Sequence, residues 1–265
     1  MIKLISDLLL LSGNDIPFPG ARVTIHQPTL KEIAYIGEEE FFIGCGFLDF
    51  SKELLNIKDK SKLEDVHDFD IFMTVIKNRI PETRKSIDCA LSVLTLLFPL
   101  YSIDVRQDAI VLNKEKEEHL ITKENFEEFK SIVSQIFNLG LGKNKKSEQY
   151  NPTGDMAAKI AEKFRKRHET LLQIQNQSGK KQKISILSRY VSILAIGLQK
   201  DFNALMNYTV NQLYDEFQRF QLKMQWDAYI QARLAGAKDL EEVDNWMIDL
   251  ADQGKNKNKK NNTKK

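Results

Sequence analysis

Residues 205–250 read LMNYTVNQLYDEFQRFQLKMQWDAYIQARLAGAKDLEEVDNWMIDL and contain two patterns typical of helix starts. Thr209 precedes Gln212 by three positions, and Asp239 precedes Glu242 by the same spacing. In such a capping box, each side chain accepts a hydrogen bond from a backbone N–H that the first helical turn leaves unpaired. Between the two starts, apolar side chains recur at three- and four-residue steps, which line one helix face: Val210, Leu213, Tyr214, Phe217, Phe220 and Met224.

This pattern predicts a long helix over 210–235 that ends near Gly236, followed by a shorter helix over 240–249. Most of their aromatic side chains are expected in the core. A helical hairpin with apolar side chains left over can also form a groove for an amphipathic partner helix. The candidate partner-binding residues are Tyr214, Phe217, Phe220, Met224, Trp226, Tyr229 and Trp246.

The composition, with 42% apolar and 29% charged residues, is that of a soluble globular protein. No apolar run reaches the roughly 20 residues that a membrane span needs. The apolar stretch at 1–11 has no small-residue cleavage site after it, which argues against a signal peptide. Cys45 and Cys89 lie in apolar surroundings without metal or redox spacing, so we expect reduced, buried thiols in the cytosol. The sequence leaves a disulfide between them open.

The net charge of +2 conceals an asymmetry along the chain. Residues 254–265 contain six lysines and no acid, so the remaining residues carry a net charge of −4. We expect the Lys/Asn-rich tail at 251–265 to be disordered, because it has almost no apolar side chain to bury. A second basic patch falls within 159–183. Both are typical of solvated surfaces, and a nucleic-acid-binding role is the alternative interpretation.

The rest of the chain predicts a mainly α-helical protein with two parts. The first, residues 1–139, has a short strand at 22–27, a β-hairpin around Gln107 and Asp108, and several helices. Its predicted helices lie at 29–36, 38–50, 70–80, 82–98 and 122–138, with Thr29 and Thr122 as caps. A glycine- and lysine-rich linker is predicted at 140–154, and an all-helical part at 155–250. The helices of that part are predicted at 155–175, 184–199, 202–207, 210–235 and 240–249.

No pattern in the sequence indicates catalysis. His26, His67, His119 and His168 lack a second histidine or cysteine at metal-ligand spacing. Gly44-Cys-Gly46 lacks the third glycine of a phosphate-binding loop, and there is no nucleophile elbow. We therefore predict a protein that is not an enzyme and has no metal or cofactor.

Three passages resemble the tail assembly chaperones of large tailed phages that infect Firmicutes or related bacteria. They are IHQPTLKEIAYIGEEEFF at 25–42, ITKENFEEF at 121–129, and NQLYDEFQRF at 211–220, which continues through RLAGAK at 233–238 to DNWM at 244–247. The resemblance implies a chaperone that coats the long, helical tape-measure protein before the tail tube polymerises around it. It also implies a shorter and a frameshift-extended product, and the linker at 140–154 fits such a join. It assigns no individual binding residues.

We therefore predict a non-enzymatic tail assembly chaperone in the host cell cytoplasm, with the tape-measure protein as its partner. The tail tube protein and further copies of this chain are additional candidate partners, and no membrane partner is expected. One alternative is a structural tail or baseplate component that stays in the virion. The other is a phage nucleic-acid-binding protein that uses the basic patch and the lysine-rich tail, with affinity that falls steeply with salt.

Overall fold

The structure is a computed structural model that describes residues 5–49, 66–78, 81–139, 185–237, 240, 243–248 and 250. Its first compact unit comprises Met1–Asn138 and Leu187–Lys265, and its second comprises Leu139–Ile186. Four predicted features lie outside the described residues: the linker at 140–154, the helix at 155–175, the basic patch at 159–183, and the tail at 251–265.

The described part of the chain is mainly helical, which confirms the predicted fold class. Its α-helices are α1 (Asp7–Ser12), α2 (Leu30–Ile36), α3 (Glu38–Leu48), α4 (Asp68–Asn78), α5 (Pro81–Leu97), α6 (Phe126–Ile136), α7 (Ile186–Leu198), α8 (Phe202–Met206) and α9 (Val210–Leu234). Its strands are β1 (Ile16–Phe18), β2 (Val23–Ile25), β3 (Ser102–Val105), β4 (Ile110–Lys114) and β5 (Glu117–Ile121). None of the helices in this part is long and apolar enough to cross a membrane.

Two small antiparallel sheets accompany the helices. Strand β1 pairs with β2, and β3, β4 and β5 form a sheet in that order. The predicted hairpin is confirmed as β3 and β4, with Val105 opposite Ile110. The sequence did not indicate β1, which contains Pro17, or β5, which is largely polar. Strand β5 follows from pairing with the apolar β4, because its own composition gives little strand preference, and β1 accommodates Pro17 between Ile16 and Phe18 by pairing with β2 alone.

Phenylalanine rings fill the centre of the core. Phe41 meets Phe137 edge-on with ring centroids 4.9 Å apart, and Phe72 lies 5.1 Å from Phe126. These contacts join α3 and α4 to α6 and to Phe137 at its end, and the apolar residues of α6 are buried. The fully buried phenylalanines of the described residues are Phe18, Phe41, Phe72, Phe98, Phe126, Phe129 and Phe137. Cys45 and Cys89 are buried free thiols, as predicted.

The start of α6 differs from the prediction. The helix begins at Phe126, with Asn125 at the capping position, so Thr122 is not its cap. Instead, the Thr122 N–H donates to Oδ1 of Asn125 at 2.8 Å, within a turn that precedes the helix. The Asn125 amide also donates to the carbonyls of Gly20 and Leu120. These distant contacts fix the helix start, and local spacing does not reveal them.

Two capping boxes join the first and last thirds of the chain. Thr29 caps α2, and Thr209 caps α9 with Gln212, both as predicted; Glu32 completes a capping box with Thr29 that the sequence analysis did not identify. Thr29 and Thr209 pair with each other in an isolated antiparallel bridge. Beside it, the Leu30 N–H donates to the Tyr208 carbonyl at 2.8 Å. The two helix starts therefore support each other.

Replacing Thr209 with alanine is expected to lower the free energy of unfolding by about 1–2 kcal/mol, whereas Thr209→Ser keeps most of it. The Thr209 hydroxyl accepts from the Gln212 N–H at 3.3 Å, and the Thr209 side chain is buried. Alanine leaves that N–H without its partner, and serine restores the oxygen. Urea denaturation of both variants measures the difference; equal losses would show that the methyl group matters and the cap does not.

Candidate docking surface

The last helix, α9, is packed over only part of its length. Its buried side chains are Val210, Leu213, Phe217 and Leu222, all in the first half. From residue 223 to residue 234 every side chain is exposed or half-buried. These twelve residues, here called the outer half of α9, extend the helix by about 18 Å.

The outer half carries apolar side chains that face solvent. Met224 is 54% exposed and Leu234 is 83% exposed, with Ile230 also exposed between them. Trp226 and Tyr229 are half-buried, with ring centroids 5.9 Å apart. We call Met224, Trp226, Tyr229, Ile230 and Leu234 the α9 surface. Exposed apolar side chains grouped on one helix are typical of a surface that meets a partner.

Three of the predicted partner-binding residues instead lie where α9 meets α7. Phe217 is 8% exposed and stacks on Tyr190 with ring centroids 3.8 Å apart. Tyr214 meets the same ring edge-on, and burial raises the pKa of Tyr214 to about 12. Phe220 lies against Gly197, where a Cβ atom would collide with its ring. These three residues hold residues 210–222, here called the inner half of α9, in place.

The other predicted residues lie on or near the α9 surface. Met224, Trp226 and Tyr229 belong to it, and Trp246 is exposed in the segment after the helix. The sequence prediction omitted Ile230 and Leu234, although their four-residue spacing from Trp226 is a usable signal. It also omitted Met247, which is exposed beside Trp246.

The segment after α9 folds back along the helix. Gly236, with φ +87°, ends the helical region, in agreement with the prediction. Arg219, on the inner half, then donates through Nη1 to the carbonyls of Trp246 at 3.3 Å and Ile248 at 2.7 Å. Residues 243–248 are called the strap. Arg219 thus holds the strap alongside α9. The sequence analysis did not identify this role of Arg219.

The predicted helix over 240–249 is not present in its described residues. Residues 243–245 have no regular structure, and Trp246 and Met247 lie in a turn. The side-chain oxygen of Asn245 accepts from the Met247 N–H at 3.0 Å, and the backbone carbonyl of Asn245 accepts from the Ile248 N–H at 3.1 Å. This local bonding by asparagine competes with helix formation. The two helices therefore do not form the predicted hairpin over these residues.

The charged groups of the outer half are few and carry a net charge of +1. Lys223 pairs with Asp227 one turn later. Arg233 donates to the Tyr229 hydroxyl at 3.1 Å, and its guanidinium lies 5.8 Å from the centre of that ring. The Arg233 stem therefore covers part of the aromatic surface while its charge stays at the rim.

The described histidines each contact a structural partner. His26 lies between Asp15, at 2.9 Å, and Glu32, at 3.3 Å. His67 accepts from the Phe69 N–H at the start of α4, and His119 contacts the Ala21 carbonyl. His168 lies outside the described residues. Within the described part of the chain, no three His, Cys, Asp or Glu side chains are grouped so that they could hold a metal ion.

Two clefts lie away from α9, and charged side chains line both. One, of about 560 Å³, lies between α3 and α5 and is lined by Glu40, Arg84, Lys85 and Asp88 among others. The other, of about 590 Å³, lies beside the β3–β4 turn. There Lys123 pairs with Asp70 at 2.8 Å, and Lys77 donates to the Gln107 carbonyl. The α9 surface is therefore the stronger candidate for a functional site.

Comparison with known families places a match on this same region. Residues 179–250 match the model described as the YomV second domain, a phage-derived protein family. The match covers α7, α8, α9 and the strap, and it points to a phage protein. No curated protein and no solved structure gives a significant match to the chain.

Proposed function

We propose that this protein is a non-enzymatic phage tail assembly chaperone that binds the tape-measure protein through the α9 surface. In this role it keeps the tape-measure protein soluble in the host cytoplasm until the tail tube polymerises. The observation that carries the proposal is the exposed apolar outer half of α9, within the stretch that matches a phage-derived family. The resemblance to tail assembly chaperones over three passages adds to it.

The geometry suits a partner that is itself helical. The inner half of α9 is fixed by its capping box and by the stacking of Phe217 on Tyr190, so the outer half is presented in one orientation. An amphipathic helix laid along about three turns of α9 would cover Met224, Ile230 and Leu234. Methionine adapts its shape to different apolar neighbours, which suits a long partner with varied sequence.

The small size of the surface favours reversible binding. A contact along about three helical turns buries much less surface area than the roughly 1,600 Å² that stable protein–protein interfaces bury. Many copies along one long partner would hold it together through multivalency, while each copy can leave as the tube advances. A chaperone that must be displaced during assembly needs such weak individual contacts.

The test is co-expression with the tape-measure protein from the same genome. Wild-type chain is expected to keep that protein soluble and to co-purify with it. The double variant Met224→Glu and Leu234→Glu is expected to lower the soluble, co-purified amount by about tenfold or more, because two carboxylates are placed in an apolar contact. Both side chains are exposed, so circular dichroism should show an unchanged fold.

Tyr35→Glu on α2 is the matched control. Tyr35 is 83% exposed, as is Leu234, but it lies on another helix. It is expected to behave as wild type. A tape-measure protein that stays insoluble with folded wild-type chain would contradict the proposal, and stoichiometric copies of the chain in purified virions would favour a structural tail component instead.

A further inference from the structure

The strap is attached to the side of α9 that carries the aromatic part of the α9 surface. Arg219, Leu222, Trp226 and Tyr229 follow one another at steps of three and four residues, so they line one face of the helix. Arg219 donates to two carbonyls of the strap. This attachment is seven residues before Trp226, or about 10 Å along the helix axis.

The strap also returns toward the start of α9. The helix ends at Leu234, fifteen residues after Arg219, which is about 22 Å along the axis. The Ile248 carbonyl nonetheless lies 2.7 Å from Nη1 of Arg219. By Ile248, the chain has therefore come back by more than the length of the outer half.

The face with the attachment is shielded from solvent. Leu222 is 2% exposed, and Trp226 and Tyr229 are half-buried. Met224, on the opposite side of the helix, is 54% exposed. Within the strap, Val243 is half-buried as well. The aromatic side of the α9 surface is thus its shielded side, and the strap is bonded to that side.

A single side chain supplies two contacts of the strap. Both carbonyls accept from Nη1 of Arg219, whose Nε lies 4.0 Å from Oδ1 of Asp215. Residues 243–245 have no regular secondary structure. Segments of this kind open at a lower free energy than packed helices do. The strap can therefore leave while the capping box and the Phe217 stacking hold the inner half of α9.

We propose that the strap is a displaceable cover of the aromatic side of the α9 surface, which competes with the partner helix for Trp226 and Tyr229. The inference rests on the proposed function and adds a means of regulating its binding site. With the strap displaced, Leu222 joins the apolar contact. Because the closed form opposes binding, the apparent affinity is lowered by the fraction of chains whose strap is open.

The first experiment removes the attachment. A synthetic helical peptide of about five turns, with a leucine face and a glutamine polar face, is titrated against the full chain by fluorescence anisotropy. Arg219→Gln is expected to bind this peptide about fivefold more tightly than wild type, because opening no longer opposes binding. The peptide has no charged side chain, so charge attraction does not contribute.

Arg189→Gln is the matched control. Arg189 is exposed on α7, and its replacement changes the net charge equally, so this variant is expected to bind the peptide as wild type does. Ile248→Lys opens the strap from its other partner, since it introduces a cation next to the carbonyl that Arg219 holds. It is expected to match Arg219→Gln. Circular dichroism should show the same thermal midpoint for all of these chains.

The second experiment observes the strap itself and needs no opening variant. The chain has two tryptophans, so Trp226→Phe leaves Trp246 alone and keeps an aromatic ring on α9. Acrylamide quenching of Trp246 fluorescence is expected to rise about twofold when the peptide saturates the chain. The reason is that displacement exposes a residue that is 37% exposed in the attached strap.

Two outcomes would overturn the proposal. One is equal peptide affinity of wild type and both opening variants. The other is unchanged or reduced quenching of Trp246 in the complex, because reduced quenching would make the strap part of the contact. The co-expression test is separate from both. A tape-measure protein that stays insoluble while the peptide displaces the strap would remove the chaperone role and keep the cover. A soluble complex with unchanged quenching would do the reverse.

Discussion

Replacing Gly44 with alanine is expected to lower the free energy of unfolding by about 3 kcal/mol, whereas Gly46→Ala raises it by about 0.5–1 kcal/mol. The two glycines are two residues apart in α3 and differ in what surrounds them. A Cβ atom at Gly44 would lie 2.5 Å from the carbonyl oxygen of Cys89 and 2.7 Å from Cγ2 of Val93. At Gly46 nothing lies within 4 Å.

The obstacle at Gly44 is backbone of α5, so the structure cannot relieve the clash by rotating a side chain. Overpacking of a core costs about 1–3 kcal/mol and sometimes more, and an immovable neighbour places Gly44→Ala at the upper end. Gly46 is exposed, and there alanine adds only its better helix propensity. Urea denaturation of the two variants gives the comparison. Equal midpoints would mean that α3 and α5 are not in close contact at Gly44.

Lys130→Ala is expected to cost about 3 kcal/mol of stability, and Lys123→Ala less than 1 kcal/mol. Both lysines bind an aspartate at the start of α4. Lys130 lies 2.9 Å from Asp68, and Lys123 lies 2.8 Å from Asp70. The first pair has side chains only 11% and 14% exposed, and the second pair has 50% and 47%.

Burial decides the difference, because the nitrogen–oxygen distances of the two pairs are nearly equal. Burial alone would lower the pKa of Lys130, but its hydrogen bonds to Asp68 and Glu127 outweigh that effect, so the pKa of Lys130 is raised above its ordinary value. Removing the ammonium leaves the Asp68 carboxylate in a mostly buried place without this cation, which is the costly case. Thermal or urea unfolding of the two variants tests this expectation. A loss at Lys123 as large as that at Lys130 would show that burial is not the controlling factor.

The sequence predicted the parts of the fold that depend on local chemistry. Thr29 was identified as a cap and the spacing of Thr209 to Gln212 as a capping box, because both signals need only residues within one turn. The prediction failed where a residue distant in the chain determines the start of a helix or the formation of a strand. Strand β5 forms because its largely polar residues pair with β4, and α6 starts at Phe126 because Asn125 bonds the Gly20 carbonyl.

The candidate site was predicted in part for the same reason. Met224 was identified from helical spacing, and Trp226 and Tyr229 as aromatic side chains on the same predicted helix. Neither signal distinguishes them from Phe217, which is buried against Tyr190. Only the length of α9 relative to its neighbours separates the inner from the outer half. The strap was predicted as a helix because Asp239 and Glu242 resemble a cap. Its attachment depends on Arg219 meeting backbone carbonyls, which leave no trace in sequence.

The bridge between Thr29 and Thr209 has a consequence for synthesis on the ribosome. The two residues are 180 positions apart, so the early part of the chain must wait for its partner to be translated. At about 5–20 residues per second, that delay is roughly ten to forty seconds. Until then the Leu30 N–H has no Tyr208 carbonyl to bond, and the first third of the chain cannot complete its native contacts. A protein proposed to shield another from aggregation therefore passes through an interval in which its own nascent chain is unprotected.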